Sequence, residues 1–431
     1  THLLAYHKLS IIIGALLIKV FGWSVNVLRI FSLAVYVFFF VVLSGYYRNN
    51  RNNFSPDHFI LAAFVIFFNP LTLLYSFTFR PEMMVSVLGF SSFFFLDLYF
   101  IKSPKFKFVA FAGLLAGLAF FTNLNGMVFG ITGFFVLALM KKLKAAFVFG
   151  IFTALTASLY FYDLWQPGNF QLFLYQIKNW PVPHASNYTA VNFWDFVSRV
   201  ITKLSQEHQR FFWSYKVWGI SALFIFALIL KFRKIKQLKP HLALYILFLI
   251  LSLNLFGSQI AERFLIYFLP YMAIVISVLL VDLKTDTRQW AQALTLFLLV
   301  LQLACVSYLF YDIFKQNDNY VEQHSRIMSE IPDQTSPVLV SYRFVFNELE
   351  KRPLVTYKGF EYHEVALGRK MEQDEFYLRA SQLGIQYIIV PPEMLTGSDT
   401  RFPFLREGKT DNNTLYERYY SGFNYRILKH K

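Results

Sequence analysis

The chain has 431 residues, 56% of them apolar, 20% aromatic and only 16% charged, with a formal net charge of +15 at pH 7. Long apolar runs in such a composition exclude a soluble globular protein and indicate one that crosses a membrane many times. Residues 1–312 carry 25 Lys and Arg against 10 Asp and Glu, whereas residues 313–431 carry 16 of each, so the excess belongs to the apolar part and does not call for nucleic acid.

The apolar run Leu9–Phe21 contains Lys19 and is too short to span comfortably, and it belongs to a segment Leu3–Phe21. It reads as a helix lying at, or dipping into, the external interface. Thr1 is not an initiator methionine, and the parity of the later spans calls for one further crossing before it. Ten apolar runs follow, at 23–43, 59–79, 83–101, 108–122, 125–140, 145–163, 212–230, 242–257, 263–281 and 291–312. Alternate loops are rich in Lys and Arg: "YYRNNRNN" (46–53), "KSPKFK" (102–107), "KKLK" (141–144), "KFRKIKQLK" (231–239) and "DLKTDTRQ" (282–289). Placing all five in the cytoplasm gives a strictly alternating path. The single cysteine, Cys305, lies within the last run, which excludes an intramolecular disulfide and a cysteine metal cluster.

The same path puts the remaining connections outside. They are the Arg80 step, the "TNLNG" turn (122–126), the loop 164–211 and "GSQIAER" (257–263). The 164–211 loop, with "NWPVPHASNY" (179–188), is too polar to cross and longer than a plain connection needs to be. From about residue 313 the texture changes. "SPVLVSY" (336–342) and "IQYIIVPP" (385–392) read as strands, and "FVFNELEKR" (344–352) and "DEFYLRASQLG" (374–384) as helices. Their alternation predicts a small α/β domain over 313–431, on the external side. The expectation is a polytopic α-helical membrane protein with about ten transmembrane helices over 1–312, followed by that external domain.

Charged residues where apolar runs meet the external face are the candidates for chemistry. Arg80, Pro81 and Glu82 form an ionic step between two runs, and Glu262 and Arg263 form another at "QIAERFLIYFLPY" (259–271). Each pair can be a local salt bridge or an interfacial snorkel. Two such pairs on one face favour an anionic ligand, because arginine forks onto phosphate oxygens and stays charged in a partly dry site. Glu82 is then the candidate acid–base group. His184, in the long loop, is a candidate phosphate contact or proton carrier. His2 and His7 have a spacing that lacks a third ligand, so no metal site is read there.

Several segments carry a resemblance. "AYHKLSIIIGALLIKVFGWSVNVLRIFSLAVYVF" (5–38), "TFRPEMMVSVLGFSSFFFL" (78–96), "AGLLAGLAFFTNLNGMVFG" (112–130) and "ERFLIYFLPYMAIVIS" (262–277) occur in the order seen in GT-C glycosyltransferases. The chain resembles the members similar to protein O-mannosyltransferases and the bacterial aminoarabinose transferase. That resemblance implies transfer of a sugar from a polyprenyl-phosphate donor to a lipid, glycan or protein acceptor at the external face of a bacterial inner membrane. It places Glu82 at an acidic position of the family and Arg263 at a basic position suited to donor phosphate, with Arg80, Glu262 and Tyr267 beside them. The family's principal catalytic carboxylate lies in the first external loop, a region that would precede Thr1. The resemblance calls for no cofactor and leaves a divalent metal open. Two other readings stand beside it: a transporter or flippase for a lipid-linked saccharide, and a non-catalytic assembly partner in envelope glycan synthesis.

Overall fold

A computed structural model describes residues 7–179, 192–232, 238–256, 261–281, 289–315, 319–367, 369–397, 401–406, 415–422 and 424–431. The chain divides into two compact units. One comprises His2–Gly22 with Asn26–Lys315, and the other comprises Gln316–Lys431 with Thr1 and Trp23–Val25.

The first unit is helical. It begins with α1 (Lys8–Phe21) and the long α2 (Val25–Asn49). Then come α3 (Pro56–Phe67), α4 (Pro70–Phe77), α5 (Pro81–Ile101), α6 (Phe106–Thr122), α7 (Met127–Leu139) and α8 (Leu143–Ala157). The segment after α8 holds α9 (Asn169–Asn179), α10 (Phe193–Ser205) and α11 (His208–Phe212). The unit closes with α12 (Tyr215–Leu230), α13 (Pro240–Phe256), α14 (Leu269–Leu280) and α15 (Gln289–Lys315). Among the described residues, each of the ten apolar runs lies mainly on helix. By length and composition, four helices among the described residues are able to cross a membrane, or up to six if each of two bent pairs is one span. Helices α6, α7, α13 and α14 are shorter and apolar.

The bends have local causes. Pro70 cannot continue a hydrogen-bonded helix, and Asn69 before it is extended (φ −97°, ψ 133°). The Asn69 side chain accepts the Leu71 N–H at 2.9 Å, and the Thr72 hydroxyl donates to the Ile66 carbonyl at 2.6 Å, so the broken backbone is re-satisfied. Helices α3 and α4 therefore meet at 63°. Ser214, also extended, separates α11 from α12 in the second bent pair.

Packing centres on α5 and α14, which are buried on nearly every side, as helices apolar all round must be. Phe90, Phe93, Tyr245 and Tyr271 interlock there in edge-on and stacked ring contacts. Helices α6 and α8 approach closely because Gly113 and Gly117 face α8. A Cβ at Gly113 would stand 2.5 Å from the Phe149 carbonyl oxygen, and one at Gly117 1.7 Å from the Thr156 hydroxyl. The opposite face of α2 shows Ile30, Val37, Phe38 and Val41 outward, a surface suited to lipid.

Asp97, late in α5, is almost completely buried and carries a polar tie between helices. It accepts from Asn50 Nδ2 at 2.9 Å, meets His241 Nε2 at 2.8 Å and pairs with Lys239 Nζ at 3.2 Å. Lys239 also donates to Asn50 Oδ1 at 2.7 Å. The start of α13 is thereby fastened to the end of α5 and the residue after α2. Each partner needs the others, since a buried carboxylate is costly unless paired.

The second unit contains a five-stranded sheet. Its strands are β1 (Val338–Val340), β2 (Leu354–Thr356), β3 (Tyr387–Val390), β4 (Tyr416–Gly422) and β5 (Tyr425–His430), in the order β2-β1-β3-β5-β4. The β2, β1 and β3 strands are parallel, and β5 and β4 are antiparallel additions. The connections carry α16 (Tyr320–Ser329), α17 (Val345–Glu348), α18 (Tyr357–Leu367), α19 (Gln373–Gln382) and α20 (Pro392–Leu395). Both sheet faces are covered. Leu339, Ile388 and Leu428 pack in one cluster, while Val338, Val340, Ile389 and Ile427 pack in the other. This is why β1 and β3 read as continuous apolar runs rather than alternating ones.

Candidate functional site

The site forms where α4 gives way to α5. Pro81 opens α5 and holds Arg80 in an extended conformation (φ −135°, ψ 148°). Glu82 then falls in the first helical turn, where the helix dipole favours an acid. Its side chain is only 3% exposed. Arg80 folds onto it with a two-pronged contact, donating from Nη2 to Oε1 at 2.7 Å and from Nε to Oε2 at 3.2 Å.

A second element brings Arg263 to the same carboxylate. Residues Glu262–Tyr267 form a 3₁₀ helix ahead of α14, preceded by an extended Ala261. The Ser86 hydroxyl of α5 donates to the Ile266 carbonyl at 2.8 Å and stitches this turn to α5. Arg263 Nε stands 3.8 Å from Glu82 Oε1, an ion-pair distance. Phe264 lies beneath two guanidinium groups, with Arg263 5.0 Å and Arg210 5.9 Å from its ring centre. Arg210 is itself fully buried and forks onto Glu207 at 2.7 and 3.1 Å, and Asn254 donates to the same carboxylate at 3.2 Å.

The third contributor is Lys216, in the first turn of α12, whose Nζ lies 3.3 Å from Glu262 Oε1. Together these groups line an open cleft of about 340 Å³, formed by Leu74, Tyr75, Thr78, Arg80, Lys216, Ala261, Glu262 and Arg263. Three cations face two carboxylates in and around it, which leaves one formal positive charge in excess. The Arg80 guanidinium also lies 5.7 Å from the Tyr75 ring centre.

The sequence candidates thus separate. Arg80, Glu82 and Arg263 converge on one point, and Glu262, paired with Lys216, lines the same cleft. Tyr267 is fully buried behind the site, packed edge-on against Phe129 with ring centres 5.6 Å apart, and is not among the residues lining the cleft. His184 and most of "NWPVPHASNY" lie outside the described residues, as do parts of the basic loops at 231–239 and 282–289. Two participants were missed. Lys216 is a cation in the opening turn of an apolar run, on the face already holding Arg80 and Arg263, and that placement was a usable signal. From its sequence spacing His7 reads only as a candidate metal ligand. Its imidazole lies in the electrostatic field of Glu82, Arg80 and Arg263, and burial pushes its pKa from 6.5 down to about 4. Among the described residues, no three His, Cys, Asp or Glu side chains come together as a metal site.

No protein-family model matches the sequence, and no curated protein matches it. Solved structures do resemble the fold. ArnT from Cupriavidus metallidurans bound to undecaprenyl phosphate superposes with a TM-score of 0.62 at 9% identity, over 99% of this chain and 88% of that one. The Archaeoglobus fulgidus oligosaccharyltransferase complexed with Zn and sulfate gives 0.53 at 14% identity, over 96% of this chain. The archaeal oligosaccharyltransferase AglB from the same organism, with an inhibitory peptide and a dolichol-phosphate, gives 0.55 at 14% identity, over 94% of this chain. The chain spans 63% of the length of each of these two archaeal proteins. At such identities the likeness is one of fold.

Proposed function

We propose that this protein is a glycosyltransferase that takes a sugar from a polyprenyl-phosphate donor and passes it to an acceptor at the external face of the membrane. The observation that carries the reading is the convergence of Arg80 and Arg263 on buried Glu82 beside a cleft that also presents Lys216. Guanidinium groups suit phosphate oxygens, and a partly dry cleft strengthens the attraction. The ArnT structure with undecaprenyl phosphate and the AglB structure with a dolichol-phosphate support a lipid-phosphate ligand for this fold. Zinc accompanies one of the oligosaccharyltransferase structures.

In this reading all ten apolar helical segments cross or enter the bilayer, the basic loops are cytoplasmic, and residues 313–431 form the external domain. The host membrane is a bacterial inner membrane. The lipid tail enters sideways between helices, which a polytopic fold permits. As the bond from the anomeric carbon to the phosphate oxygen breaks, negative charge grows on the phosphate, and fixed cations stabilise that charge more than the ground state. Arg263 and Lys216 line the cleft where this charge would develop. Glu82 accepts both prongs of Arg80 and attracts Arg263, so it acts first as the anchor that aims the cations.

The test is transfer of label from undecaprenyl-phosphate-linked hexose in proteoliposomes containing the full-length gene product. Arg263→Ala is expected to lower kcat by about 10²-fold or more while membrane insertion is unchanged. Lysine at the same position restores part of the rate, since it lacks the guanidinium fork. Normal transfer by Arg80→Ala and Arg263→Ala variants would reduce both arginines to interfacial salt bridges.

A further inference from the structure

Helix α1 is held by three contacts, two of them to the Phe79–Arg80 step and one to Tyr160 and Asp163. Lys8 is buried, donates to the Tyr160 carbonyl at 2.6 Å, pairs with Asp163 and lies 4.6 Å from the Tyr160 ring centre. Gly14 faces Phe79, the residue before Arg80, so closely that an added Cβ would stand 3.1 Å from that ring. Ser10 lines a narrow crevice with Phe79, Arg80, Met83 and Met84, among others. His7, Ser10 and Gly14 follow one another at i, i+3 and i+7, which puts them on a single stripe of α1. That stripe therefore runs along the Phe79–Arg80 step, and His7 lies one turn before Ser10, in the electrostatic field of Glu82, Arg80 and Arg263.

We propose that α1 forms one wall of the site and that His7 is a substrate-contacting residue whose imidazole hydrogen-bonds a hydroxyl group of the sugar or acceptor. This rests on the reading of the site given above and adds a residue to it. The division of labour follows from charge. Arg80, Arg263 and Lys216 already supply cations for phosphate, and burial beside two arginines keeps the imidazole uncharged at neutral pH. A neutral imidazole offers one donor and one acceptor, the pairing a hydroxyl needs, whereas phosphate offers acceptors alone. Lys8 is the positioning residue, because its clip to Tyr160 and Asp163 fixes the end of α1 that carries His7.

The experiment measures two quantities on the full-length protein: binding of undecaprenyl phosphate, and transfer from undecaprenyl-phosphate-linked hexose. His7→Ala is expected to leave lipid-phosphate affinity within about twofold and to lower kcat/KM at least tenfold, the loss of about one hydrogen bond in a dry site. His7→Gln, which keeps a donor and an acceptor, is expected to recover part of that loss. Lys8→Met is expected to lower transfer in the same way without altering donor binding. A His7→Ala protein that binds donor lipid and transfers at more than half the normal rate overturns the inference and leaves the phosphate reading intact. A wild-type protein that neither binds nor transfers overturns both.

Discussion

Arg263 Nε stands 3.8 Å from Glu82 Oε1, the same oxygen that accepts the Arg80 Nη2–H at 2.7 Å. Two cations from distant parts of the chain thus share one buried carboxylate oxygen. Burial of Glu82 makes the arrangement interdependent, because removing the arginines leaves its carboxylate, only 3% exposed, uncompensated, whereas the guanidinium groups keep part of their contact with solvent.

That dependence gives a first prediction. In a double-mutant cycle on transfer, Glu82→Gln and Arg263→Ala should be strongly non-additive, since the amide no longer aims the arginine. Glu82→Gln alone should weaken binding of donor lipid as well as transfer. If Glu82→Gln instead abolished transfer while donor binding stayed normal, Glu82 would be a proton acceptor and not an anchor.

The Asp97 tie predicts a stability effect separate from chemistry. Asp97→Ala leaves Lys239, His241 and Asn50 without their shared acceptor, at a cost of about 3–5 kcal/mol. Denaturant unfolding in detergent should show this loss. Asp97→Asn, which keeps a carbonyl acceptor, should be milder. Wild-type stability in Asp97→Ala would show that the tie is not structural and would reopen a transport role for this intramembrane acid.

These polar relationships explain how far the sequence could be read. Helix after helix follows from apolar run length, and the Pro70 and Pro81 breaks follow from proline chemistry. Strands β1 and β3 were visible as apolar runs because both their faces are covered. By contrast, β4, "YERYYSG" (416–422), is exposed along most of its length and carries charge, so it lacked that signal. Arg80 and Arg263 stood out as charges at the edges of apolar runs. Their convergence on Glu82, and the arrival of Lys216 and His7, depend on long-range packing that no local pattern encodes. Helix α1 was expected at the external interface, and its contacts to Phe79 and Tyr160 were not foreseen.

His324 in the α/β unit gives a pH prediction. It is fully buried, stacked on Phe344 with ring centres 3.8 Å apart, and its Nδ1 meets Asn347 Nδ2 at 3.0 Å. Burial, with the nearby Arg343 charge, lowers its pKa from 6.5 to about 4. The folded state therefore binds this proton less readily than the unfolded state. The stability it contributes is present above pH 6.5 and is lost as pH falls toward 4, by at most about 3 kcal/mol. Thermal unfolding of wild type and His324→Phe should differ in slope across that window, with the wild type losing more stability in acid. Parallel profiles would remove His324 from the account.

Sidedness is open to direct labelling. With Cys305 replaced by Ser, a cysteine at Lys105 or Lys142 should be shielded from an impermeant thiol reagent in intact cells, and one at Thr396 should react. Reaction at Lys105 would invert the proposed path, because that residue lies in one of the basic loops that orient the chain.

The central claim is that the cleft beside Glu82 receives a lipid phosphate, and a paired binding measurement tests it most directly. Undecaprenyl phosphate and undecaprenol share a tail and differ only in the phosphate, so their ratio of affinities isolates the headgroup. The account predicts that wild-type protein prefers the phosphate by at least tenfold, and that Arg263→Ala loses most of that preference, the scale expected for charge-assisted hydrogen bonds. Equal affinity of the wild type for the two lipids, or an unchanged preference in both Arg263→Ala and Arg80→Ala, would contradict it.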